Sequence, residues 1–299
     1  MECSCQKNGC EKKAGKHPCY SYEAHHKYAR MHLPVAPSCN INCNYCNRQF
    51  DCLHESRPGV TSELLEPEEA LAKFKQVRKK IDNLSVVGIA GPGDALANWE
   101  KTRKVIELIQ EEDKEIIFCL STNGLLLPAL AGELLELGLR HITVTVNCLD
   151  PIIGAQIYSH ISYRGEKYKG VQGADLLINN QLQGIKMLAD HGVLVKVNTV
   201  MIEGINDGHV LEIAKRVGEL GAHMGNIMPL IPAQGSAMEA YLPTSMKRLN
   251  EVRQLCQGDL PQMTHCKQCR ADAIGMLGND RNAEFSSGRG KYQCKKEAV

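Results

Sequence analysis

The chain has 299 residues, enough for one large α/β barrel-type domain with a substantial core. Its 35 Lys and Arg balance 34 Asp and Glu, so it shows neither the basic excess of a nucleic-acid binder nor an acidic tail. It has no apolar run of about 18 residues for a membrane span, and the polar start MECSCQKNGCEKK lacks a signal peptide's apolar stretch; the cytoplasm is the expected compartment.

In chain order, residues 1–30 form an irregular arm rich in Cys, Lys and His. A strand–helix alternation follows. Strands are predicted at Leu33–Ala36, Ser85–Ala90, Ile116–Ser121, His141–Asn147, Leu194–Val200 and His223–Met228. Pro67 opens the first helix, with Glu68 and Glu69 in its positive first turn. Further helices are predicted at Trp99–Glu111, Pro128–Leu137, Asn179–Asp190, Asp207–Leu220 and Thr244–Gln257. Gly138, Gly192 and Gly221 stand where helices stop before the next strand. This alternation predicts βαβ units and a partial (β/α)6, TIM-like barrel over 31–257. The arm at 1–30 and an extension at 258–299, both carrying cysteines, flank it.

In such barrels the chemistry sits at the C-terminal strand ends. Strand parity puts His141, Thr143, Thr145 and Asn147 on one face and Ile142, Val144 and Val146 on the other. A polar inner face needs a ligand or hydrogen-bond partners inside the barrel.

Fourteen cysteines in a reducing compartment point to metal rather than to disulfides. Cys39, Cys43 and Cys46 form a CxxxCxxC run directly after the first predicted strand. Three thiolates hold three irons of a four-iron cluster and leave the fourth iron open. This run, with Tyr45 before its last Cys, resembles the radical S-adenosylmethionine (SAM) superfamily. The resemblance implies that SAM chelates the open iron and is cleaved to a 5′-deoxyadenosyl radical. It implies SAM contacts from Gly91, Gly93 and Asp94 in the GPGD turn, and from Ser121, Thr122 and Asn123. Asn147, Asn198, Ile227 and Met228 are expected beside the ribose and adenine.

Cys266 and Cys269 form a late CxxC, and Cys52 lies six residues past the first motif. Cys119 shares parity with Ser121 and is expected to face the cavity, whereas Cys148 has the parity of Val146. The segment HPCYSYEAHHKYARMHLPVAPSCNINCNYCNRQFDCLHESRPGV, with GPGDALAN, STNG and the late CxxC, resembles the NifB family of nitrogenase-cofactor maturases over nearly the whole chain. That resemblance implies a second [4Fe–4S] unit on Cys52, Cys266 and Cys269, and a third on Cys19, His25 and Cys119. His17 and His26 compete with His25 for that place. Glu55 and Arg57 are implied either as cavity residues, positioning a cluster or moving protons, or as a surface ion pair.

The family fuses the two extra clusters, with a SAM-derived carbide and an added sulfur, into an eight-iron cofactor precursor. One SAM methylates a cluster sulfide, and the radical from a second takes hydrogen from that methyl. The implied partners are a cluster donor, a product carrier of nitrogenase assembly and an electron donor such as ferredoxin, with neither nucleic acid nor membrane. The chain resembles the short form, without a NifX-like domain. Cys3, Cys5, Cys10, Cys256 and Cys294 have no place in this scheme. The alternative is another radical SAM enzyme with auxiliary clusters that modifies a peptide or small molecule; a non-enzymatic cluster carrier would cleave no SAM.

Overall fold

Strand and helix alternate along the chain in the computed structural model, which describes residues 15–53 and 59–286. The elements run β1 (Ala29–His32), β2 (Ile41–Cys43), α1 (Pro67–Lys80), β3 (Leu84–Ile89), α2 (Trp99–Glu112) and β4 (Ile117–Thr122). Next come α3 (Leu127–Glu136), β5 (His141–Thr145), α4 (Pro151–Ile157), β6 (Tyr158–Tyr163), β7 (Glu166–Tyr168) and α5 (Gly170–Asp190). The chain continues with β8 (Leu194–Met201), α6 (Val210–Glu219), β9 (Met224–Pro229), α7 (Met246–Cys256) and β10 (Ile274–Gly275).

Seven strands form one sheet in the order β10-β1-β3-β4-β5-β8-β9. Six of them are parallel, and β10 pairs antiparallel with β1. The linear order leaves an open half-barrel, the partial (β/α)6 form expected. Met31, Val87, Ile89, Leu120, Ile142, Val144, Val195 and Val197 point outward and form the main core with the helices. The polar residues between them on each strand face the lumen, and their burial confirms the parity reading of β5.

The first barrel strand is Ala29–His32, one strand length before the predicted Leu33–Ala36. Pro34 lacks the N–H a ladder needs, so the later segment continues beside β3 only through Leu33 N–H to Gly88 O and an isolated bridge from Ala36 to Pro92. The true strand was concealed because Arg30 and His32 are polar yet buried in the lumen. Helix α5 begins nine residues before the predicted Asn179. The small sheet β2-β6-β7 and the short helix α4 had not been predicted. That sheet clamps the first cysteine loop, because β2 ends on Cys43 and pairs antiparallel with β6.

The register sets rows of side chains across the lumen. His32, Gly88, Cys119 and His141 are successive partners across β1, β3, β4 and β5. Ser121, Thr143 and Lys196 form the next row, and Thr145, Asn198 and Asn226 the third. Within the described residues no helix is long and apolar enough to cross a membrane.

Candidate active site

Cys39, Cys43 and Cys46 sit on the loop around β2, above the C-terminal strand ends. Asn44 N–H donates to Ile157 O at 2.8 Å and its Nδ2 to Gln156 O at 2.7 Å, which ties this loop to the end of α4. Asn47 Nδ2 donates to Gln234 O at 2.6 Å, and the Arg48 guanidinium donates to Pro37 O. Tyr45 is fully buried, and its hydroxyl accepts from Asn147 Nδ2 at 2.8 Å. Tyr45 and Asn147 were expected against SAM. The structure places them inside the packing that holds the loop, where Asn147 Oδ1 also accepts from Val200 N–H at 2.9 Å.

The GPGD turn is likewise spent on support. Gly91 O accepts from Ala36 N–H at 3.3 Å, and Gly93 N–H donates to Ala36 O at 2.5 Å. A Cβ on Gly93 would stand 2.2 Å from Ser38 O, so only glycine permits this approach. Asp94, expected at the SAM amine, accepts from Asn123 N–H at 2.6 Å, Leu96 N–H at 2.9 Å and Thr122 Oγ1 at 3.0 Å. Its carboxylate joins two loops beneath the site. Asn123 Nδ2 donates to Asn40 Oδ1 at 2.7 Å and lies 3.8 Å from Cys39 Sγ. Asn198 faces the lumen and accepts from Asn226 Nδ2 at 3.0 Å, and Met228 joins the inner apolar cluster. The Ile227 side chain points outward into the helix-side core, and its carbonyl accepts from Arg253.

Burial pushes the Cys39 thiol up to about 12, helped by the Asp94 carboxylate and opposed by Arg48. Burial also raises Cys43, while a hydrogen bond with Cys46 draws it down. The Cys46 thiol is raised through its bond with Cys43, while Cys52 opposes the rise. Arg48 only partly offsets this burial at Cys39, and bound iron would add the positive charge that thiolates need: a bound cation reverses the pKa logic of its thiol ligands. The donor set therefore fits the cluster that the loop motif implies.

Cys52 is buried beside this loop, and its N–H donates to Pro92 O at 3.0 Å. Cys266 packs on the inner apolar cluster with Cys39 and Cys46 and accepts from Asn226 Nδ2 at 3.4 Å. Asn226 had not been singled out, although its parity on β9 put it in the lumen. Cys269 accepts from Arg30 Nη2 at 3.1 Å.

Deeper in the lumen, Cys19 and Cys119 line one cavity with His17, His32, Arg30, Ser121 and Lys196. The arm closes this end: the Tyr20 hydroxyl donates to Ile142 O at 2.8 Å, and its ring lies 4.9 Å from that of His141. His25 is absent from the lining. Its Nδ1 donates to Tyr22 O, and its ring stacks on His265 at 4.7 Å. The cavity brings His17, one of the histidines already in competition, and His32 to the side of Cys19 and Cys119. His32 escaped notice because it lies outside the HPCYSYEAHH run and reaches Cys119 only through strand register. Its Nδ1–H donates to Arg270 O at 3.0 Å, which leaves the lone pair on Nε2.

Among the described residues, no three His, Cys, Asp or Glu converge as they would around one metal ion. Glu55 and Arg57, with Cys3, Cys5, Cys10 and Cys294, lie outside the described residues.

Residues 33–217 match the Radical SAM superfamily. The chain is 51% identical over 278 residues to the FeMo cofactor biosynthesis protein NifB of Klebsiella pneumoniae, covering 92% of this chain and 59% of that protein. It is 48% identical over 278 residues to the NifB protein of Azotobacter vinelandii, covering 92% and 55%. The chain thus spans little more than half the length of these relatives. Among solved structures, Streptococcus suis SuiB bound to S-adenosylmethionine superposes with TM-score 0.53 at 14% identity, over 80% of this chain and 51% of that one. Methylornithine synthase (PylB) superposes with TM-score 0.52 at 15% identity, over 88% and 72%. These two share the fold.

Proposed function

The chain belongs to the radical SAM superfamily, in its NifB branch, and on that premise we propose that it fuses two [4Fe–4S] units into the eight-iron precursor of the nitrogenase cofactor, with a SAM-derived carbide and an added sulfur. Cys39, Cys43 and Cys46 would hold the resident cluster, and their CxxxCxxC spacing on the loop around β2 supports that role. With SAM, that cluster would supply 5′-deoxyadenosyl radical chemistry. Asn123 orients Cys39, while the buried Tyr45–Asn147 pair keeps the loop rigid above the lumen.

The substrate units would occupy two positions. Cys19, Cys119 and His32 form the deeper one, and Cys52, Cys266 and Cys269 the upper one. A neutral imidazole is displaced more easily than a thiolate, which suits a unit that must leave and rearrange. The observation that carries this reading is the row His32–Gly88–Cys119, which sets a nitrogen and a thiol on one cavity wall with no side chain between them. In the cell the reaction would need an iron–sulfur cluster donor, a product carrier and an electron donor such as ferredoxin, all in the cytoplasm.

The test is anaerobic reconstitution with iron and sulfide, followed by reductant and SAM. The expected products are S-adenosylhomocysteine and 5′-deoxyadenosine, from protein holding about twelve irons, as three four-iron clusters would give. Deoxyadenosine alone, from protein with about four irons, would overturn the fusion reading. It would leave a radical SAM enzyme that acts on a peptide or small molecule.

A further inference from the structure

The lumen cavity carries positive charge that the reaction above leaves unused. Two buried cations line it, Arg30 at 2% exposure and Lys196 at 1%, and no carboxylate is among its described lining residues. An anion bound in this low-dielectric cavity would be attracted by both.

Arg30 reaches both thiol sets. Its side chain lines the cavity with Cys19 and Cys119, while Nη2 donates to Cys269 Sγ at 3.1 Å. Nη1 donates to Gly275 O at 2.5 Å, which anchors the guanidinium, and Nε has no hydrogen-bond partner. Lys196 stands in the row above Cys119, with Nζ 5.6 Å from the centre of the Tyr20 ring. His17 accepts from Cys19 N–H at Nδ1, at 3.1 Å, so its proton sits on Nε2. That Nε2 is a buried donor with no hydrogen-bond partner on the cavity wall.

We propose that Arg30 is a cation shared by the two substrate positions, and that Lys196 and His17 complete an anion-holding wall around the deeper one. The inference rests on the cluster-substrate reading above. Thiolate-bound iron–sulfur units are anionic, and two of them side by side in a low dielectric repel each other strongly. A guanidinium between them attracts both. These are positioning residues: they hold and orient the substrate units and tune them through hydrogen bonds to sulfur, which raise the reduction potential.

The test compares the reconstituted full chain with Arg30→Gln, Lys196→Met and His17→Phe, and with the charge-keeping Arg30→Lys and Lys196→Arg. Three readouts are taken: iron per chain after gel filtration, the rate of iron loss to a chelator, and the midpoint potential from a titration followed by electron paramagnetic resonance. Arg30→Gln and Lys196→Met, which remove a charge, and His17→Phe, which removes a donor, are expected to lose one cluster's iron about tenfold faster and to titrate at lower potential, and the charge-keeping variants to recover both. If Lys196→Met does not fold, Arg30→Gln and His17→Phe carry the same comparison. A wild type with about twelve irons and variants that match it in rate and potential would overturn the inference and leave the cluster reading standing. A wild type with about four irons would overturn both.

Discussion

Gly88 shows how one missing side chain makes room for chemistry. A Cβ there would meet His32 Cδ2 at 2.9 Å and Nε2 at 3.3 Å. The His32 ring is held by its bond to Arg270 O and cannot retreat without breaking it. Gly88→Ala is therefore expected to cost about 1–3 kcal/mol through overpacking. It should also lower the iron content by about four per chain while deoxyadenosine formation continues. Urea melts and iron analysis check this, and a fully loaded, equally stable variant would contradict it. The loop thiols were legible in the sequence because their spacing is local. His32 was not, because strands far apart in the chain bring it to Cys119.

At the level of elements, helix packing decides the fate of Gly184. On propensity alone, Gly184→Ala in the middle of α5 should gain about 1 kcal/mol. However, the new Cβ would lie 2.2 Å from Leu127 Cβ, at the start of α3. Both helices pack on the sheet, so neither yields freely, and overpacking of about 1–3 kcal/mol or more opposes the gain. The expected outcome is net destabilisation, read as a lower urea midpoint; a higher midpoint would show that the helices can part. The long alternating elements were readable because each βα unit repeats the same apolar periodicity. The clamp β2-β6-β7 was not: its strands are short, and they matter only because β6 meets the cysteine loop.

At the scale of the whole chain, Asp272 joins the segment after Cys269 to two distant stretches. It is completely buried and accepts from Ser62 N–H at 2.7 Å, Arg270 Nε at 2.9 Å and Asn282 Nδ2 at 3.1 Å. Burial alone would raise its pKa, but the Arg270 and Ser62 bonds outweigh burial and hold it below the ordinary 3.8. A depressed folded-state pKa gives stability that is present above the unfolded value and lost as pH falls through the folded one. Asp272→Asn should therefore be less stable than wild type at pH 7 by about 2–4 kcal/mol, with the gap closing below about pH 4. Urea melts of metal-free protein at both pH values test this; a gap that persists in acid would assign the loss to packing instead.

By itself the sequence determined the α/β alternation, the three-thiol loop and the polar lumen face, because each depends on spacing within a few residues. Tertiary structure alone decided which polar residues line the cavity and which hold the frame. Asp94, Tyr45 and Asn147 have the composition of a cofactor site, yet their hydrogen-bonding groups are satisfied within the protein. Arg30 and His32 lie outside every predicted strand, yet they are buried in the lumen. Strand register makes the difference: it fixes which side chains share a row across the barrel, and no local pattern along the chain encodes that partnership.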